Sequence, residues 1–133
     1  MSDQTVKPLA AVEAMESAAF RLGQLARRLV AEYVDAGLSV REAGTYGYED
    51  VTASARLGLR AKDLEAARAV ATSLGIELAV KTNDTQWSVF EHGHGTGEVD
   101  GFEVHISGMH RFSDEEAAAW RAEQPAAEGG EPS

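Results

Sequence analysis

Between Val51 and Met109 the spacing of apolar positions changes period in a readable order. Val51, Ala53, Ala55, Leu57 and Leu59 alternate with Thr52, Ser54, Arg56 and Gly58, which predicts a strand with one dry face. Leu64, Ala67, Val70, Ala71 and Leu74 then recur at helical spacing, with Asp63 in the first turn and Gly75 as the stop. Alternation returns in Ile76, Leu78 and Val80, again through Trp87 and Val89, and last in Phe102, Val104 and Ile106. The order is strand, helix, strand, strand, strand.

Upstream, nothing interrupts a helical pattern from Pro8 to Ala36 except Gly23, and Gly37 supplies a C-terminal stop. Val12, Met15, Ala19, Leu22, Ala26, Leu29, Tyr33 and Ala36 form a heptad seam, flanked by Leu25, Val30 and Val34. A helix over 8–36 is about 43 Å long at ~1.5 Å per residue. A strand of about six residues spans only about 20 Å. The helix is therefore expected to overhang its sheet through about Leu22 and to pair there with a second copy, with a kink at Gly23 as the alternative.

Residues 38–50 read as a loop with a short strand near Val40, and Asn83-Asp84 as a hairpin turn that sets Val80 against Trp87 and Leu78 against Val89. A Gly-rich loop, Gly93 to Gly101, is expected between the last two strands. Ser113-Asp114-Glu115-Glu116 is a capping box opening a short helix through Trp120, which Pro125 ends. The fold class is α+β: a long N-terminal helix, a small sheet carrying one helix on its apolar face, and a short C-terminal helix. Residues 8–124 form a single domain, flanked by disordered segments over 1–7 and 125–133.

Composition narrows the function classes. Cysteine is absent, so disulfides, thiolate metal sites and thiol nucleophiles are excluded. No apolar run spans a bilayer and the N-terminus lacks a secretory plan, so a cytoplasmic protein without membrane contact is expected. Abundant Ala and Arg, with Asn83 the only asparagine, suggest a GC-rich bacterial or phage source. The net charge of −10 argues against direct nucleic-acid binding. Its distribution matters too: Asp114, Glu115, Glu116, Glu123, Glu128 and Glu131 stand against Arg121 alone after Ser113, so half the net charge lies there.

The four histidines, His92, His94, His105 and His110, are the one constellation with chemical potential. With Val104 and Ile106 inward, His105 and Glu103 face outward, and pairing Val89 with Ile106 would set His92 across from Glu103. His92, His105 and Glu103, with His94 or His110 as a further ligand, are the candidate metal set; the competing reading is a solvated polar face. The glycines around His92-Gly93-His94-Gly95-Thr96-Gly97 do not lead into a helix, so a phosphate loop is a poor reading. No serine sits in a nucleophile elbow, and Ser107 near His105 is too common a pairing to mark a hydrolase. The polar face comprises Thr52, Ser54, Arg56, Glu77, Lys81, Ser88, Phe90, Glu103 and His105.

The expectation is a small acidic nonenzymatic protein-interaction module without a cofactor, homodimeric through Met15, Leu22 and Leu29. Phe90, His105, Tyr46 and Tyr48 would meet an unidentified protein partner. The first alternative is a phage-type inhibitor mimicking nucleic acid with Glu32, Asp35, Glu42, Glu49 and Asp50 in a row. The second is a histidine-based metal-binding protein.

Overall fold

The structure, a computed structural model, describes residues 8–50 and 52–124. Expectations for 1–7, Val51 and 125–133 lie outside the described residues. The architecture is α+β: helix α1 (Ala10–Glu32), strands β1 (Ser39–Gly47) and β2 (Ala53–Arg60), helix α2 (Leu64–Leu74), strands β3 (Ala79–Asp84), β4 (Val89–Val99) and β5 (Phe102–Arg111), and helix α3 (Asp114–Glu123). The five strands form one mixed sheet in the order β1-β2-β5-β4-β3. All neighbours are antiparallel except β2 and β5, which are parallel.

α1 buries Ala18, Leu22, Leu25 and Leu29, positions that fall on one helical stripe. It ends in a short 3₁₀ turn, Val34–Ala36, which Gly37 closes at φ 59°. α2 is capped by the Asp63 carboxylate, which accepts from the Ala66 N–H at 2.8 Å. Gly75, at φ 74°, stops it as expected. α1 lies over β1 and β2, and α2 over β5 and β4, so both helices share the dry face. Leu22, Leu25 and Leu29 join Leu57, Leu59, Val70, Val104 and Ile106 in one core.

Four sequence expectations change. First, the N-terminal turns of the helix are seated on the sheet. β1 and β2, the strands under α1, have 9 and 8 residues, or about 26–30 Å at ~3.3 Å each, against about 34 Å for α1. Ala10 is buried, and the Ala11 carbonyl meets Gly47 at the end of β1. The premise of an overhang falls with it. Helix α1 also runs unbroken past Gly23.

Second, residues 39–47 are a full edge strand rather than a loop. At its end α1 presses on it: a Cβ at Gly47 would run into the Ala11 carbonyl. No apolar alternation was needed there, so none was visible.

Third, the Gly-rich stretch is strand. Val99 pairs with Phe102, and the chain reverses at Asp100-Gly101, both at positive φ, the signature of a type I′ turn. Gly93, Gly95 and Gly97 take alternate helix-facing positions, where Leu64, Ile76 and the Glu77 carbonyl come too close for a Cβ.

Fourth, the β3–β4 turn lies over Thr85–Ser88, held by the Thr85 N–H to the Ser88 carbonyl at 2.8 Å. Val80 therefore faces Gly93, not Trp87. Trp87, read as an inward residue, sits in the turn and is 85% exposed.

Candidate binding face

Among the described residues no helix lies on the sheet's other face. α3 reaches the sheet from the helix side, through a charge-assisted fork from Arg121 to the Asp84 carboxylate at 2.8 Å and a His110–Glu116 contact at 3.4 Å. Its capping box forms as expected: the Ser113 hydroxyl accepts from the Glu116 N–H, and the Glu116 carboxylate accepts from the Ser113 N–H. That backbone N–H holds the Glu116 carboxyl below its ordinary pKa.

Strand alternation sets which side chains occupy the open face. Glu42, Arg56 and Glu103 meet there, with Arg56 Nε 3.7 Å from Glu42 and 3.3 Å from Glu103. His92, His94 and His105 form a row, with ring centroids 5.7 Å and 5.8 Å apart. Three lines of side chains cross the strands beyond this point. Arg60, Ser107, His94 and Ala79 are aligned by register, then Met109, His92 and Lys81, then Arg111, Phe90 and Asn83.

Burial holds the His105 imidazole below its ordinary pKa, and the neighbouring His94 and Arg56 add to the effect. The neutral imidazole of His105 is therefore favoured. Its neighbour in register on β2 is Gly58, where a Cβ would crowd the Glu42 side chain.

The structure corrects several site expectations. His92 stands across from Met109, and Glu103 across from Glu98, so His92, Glu103 and His105 are not brought together. His110 is on the opposite face. Among the described residues no three His, Asp or Glu side chains are placed to hold a metal ion. The three histidines line up instead of converging, because His94 sits between the other two. His94 faces Ser107 in register, and no histidine–hydroxyl hydrogen bond forms among the described residues.

Leu22 and Leu29 are 4% and 0% exposed in the chain's own core and cannot serve as partner contacts. Met15 is half-buried beside Gly47. Tyr46 and Tyr48 are exposed at the β1–β2 end, and Phe90 is half-buried on the open face.

The acids of the mimic are also dispersed. Glu32 and Asp35 lie at the C-terminal end of α1, in a hollow shared with Lys62 and Glu65. Glu49 and Asp50 sit in the β1–β2 turn, at the end of the sheet where Gly47 meets the first turns of α1. Glu42 is engaged by Arg56. No row of carboxylates results.

Sequence reasoning missed Arg60, His94, Met109 and Arg111 as members of the open face. The period-two placement of Gly93, Gly95 and Gly97 between His92, His94 and Thr96 was the available signal, together with the Asp100-Gly101 turn. Comparison with known proteins finds no family model, no curated protein and no solved structure that matches this chain. Among the described residues no helix is long and apolar enough to cross a membrane.

Proposed function

We propose that the protein is a nonenzymatic binding module whose working surface is the uncovered face of its sheet. One observation carries this reading: α1, α2 and α3 all approach from the same side, so that among the described residues the opposite face of five strands is open. That face is furnished with rings and cations rather than with short solvated side chains alone. A rigid sheet holds such groups in fixed positions, which lowers the ordering cost of binding.

The test is affinity capture from an extract of the source organism, with the protein and two variants. His94→Glu with Thr96→Glu alters the open face, and Arg68→Glu alters the helix side. Molecules retained by the unaltered chain and by Arg68→Glu should be lost with the face variant at unchanged melting temperature. Equal retention by all three would overturn the reading.

A homodimer is supported by a different observation. Phe20 is 67% exposed on α1, with Leu9 and Val12 also exposed on that helix. Pairing through α1 would use Val12, Ala19 and Phe20 in place of Leu22 and Leu29. Phe20→Glu should then convert a sedimenting dimer to monomer without loss of helix content.

A further inference from the structure

The open face is not uniform in charge. Its acids, Glu42, Glu98 and Glu103, lie in the lines around Arg56, Gly58 and His105. The three lines beyond, from Arg60 to Asn83, contain no carboxylate. They carry Arg60, Lys81 and Arg111, none of which forms an ion pair among the described residues. Strands lie about 4.8 Å apart and residues rise ~3.3 Å each, so Arg60 on β2 and Lys81 on β3, three strand spacings and two residues apart, are separated by about 16 Å. Arg111 marks the third corner, toward the β3–β4 turn.

The same three lines carry flat side chains on β4: the His92 imidazole between the cations, with the His94 imidazole and the Phe90 ring flanking it. Trp87 projects from the turn that closes the same end of the sheet, and it is the most exposed of the large apolar residues. In a chain with a net charge of −10, the described residues thus leave one sector of the sheet free of acid, with rings among its cations.

We infer that this sector binds single-stranded nucleic acid, with Arg60, Lys81 and Arg111 on phosphates and Trp87, Phe90 and His94 against bases. The inference rests on the open face being the working surface. Charge complementarity selects an anionic partner. Rings carried on an open sheet among cations are a means by which unpaired bases are held. An acidic peptide is the less suitable occupant, because extended peptides gain their affinity from a strand edge, whereas Arg60 and Arg111 stand over the inner strands β2 and β5 and Lys81 alone lies on the edge strand β3. The total charge argues only against uniform electrostatic attraction. Half of it lies after Ser113, and Glu13, Glu16, Glu32 and Glu65 are on the helices.

The test is fluorescence anisotropy of labelled twelve-nucleotide oligo(dT) and oligo(U) with the full chain. Saturable binding is expected, with a log–log salt slope of about −2 for three phosphate contacts at roughly −0.7 each. Arg60→Gln with Lys81→Gln and Arg111→Gln should weaken binding about tenfold or more and flatten that slope. Trp87→Ala removes an exposed turn side chain, leaves the core intact, and should weaken binding about fivefold or more. Arg27→Gln with Arg68→Gln, on the helices, should leave it unchanged.

No binding by the folded chain would overturn the inference, as would binding indifferent to both sector variants. Tighter binding of an oligo-glutamate peptide through the same three cations would replace nucleic acid by an acidic protein and leave the open-face reading standing. Failure of that broader reading shows separately, as capture that survives His94→Glu with Thr96→Glu.

Discussion

At Gly108 the helix layer comes down onto the sheet: a Cβ there would lie 2.5 Å from the Asp63 carbonyl and 2.6 Å from the Ala67 Cβ. One contact is backbone and the other is the root of a side chain, so neither can swing away. Gly108→Ala should therefore destabilise the fold by about 1–3 kcal/mol in urea unfolding. Gly44, also in a strand, has open space where its Cβ would be; Gly44→Ala should stay within about 0.5 kcal/mol or gain stability. A second prediction concerns protons. Burial keeps the folded-state pKa of His105 below the ordinary 6.5, so the unfolded chain binds that proton more readily. The associated stability is fully present above 6.5 and is lost as pH falls from there toward the folded-state value. Melting temperatures should drop between pH 7 and about pH 5, and His105→Asn should flatten that decline. The carboxyls of Glu116 and Asp50, also held low, lose their contribution only as pH falls through the carboxylate range below 4.5 and 3.8.

Helix α1 illustrates how an element can be legible while its partner is not. Its amphipathic stripe marked Leu22 and Leu29 as apolar anchors, and the same stripe suits a second helix or a sheet equally well. Burial in the chain's own core decides the matter: Leu29→Ala should cost about 2–5 kcal/mol, and Leu29→Glu should unfold the chain rather than yield monomers, as circular dichroism would show. The α3 cap is local, so Ser113→Ala should cost about 1 kcal/mol and leave the sheet's amide spectrum unchanged. Strands β2 and β5 and helix α2 were legible because they bury apolar residues at a clean period. β1 and β4 were not, since glycine stands where the neighbouring elements press closest: Gly47 under the Ala11 carbonyl, and Gly93, Gly95 and Gly97 under Leu64, Ile76 and the Glu77 carbonyl. A pattern method reads side chains, and there the contact is made by their absence. The open face was misassembled for the same reason, as the wrong hairpin register moved every histidine relative to its neighbours.

In the whole molecule, sedimentation velocity of the unaltered chain and Phe20→Glu decides the oligomeric state. A monomer in both would remove α1 as an interface and leave the open face untouched. The strand order has a different consequence, which concerns time. β1 and β2 form one hairpin, and β3, β4 and β5 form one meander, each joined by a short turn. These two pieces meet only at the parallel ladder from Arg56–Glu103 to Arg60–Ser107, between residues far apart along the chain. Hairpins form within about 1–10 μs, whereas the ladder must wait for α2 and the whole β3–β4 hairpin to be gathered in. The seam is therefore the late event in folding, and it runs through the middle of the sheet. Truncating Leu57 or Val104, which pair across it, should hasten unfolding far more than it slows refolding, a contrast that the two arms of a denaturant chevron would display.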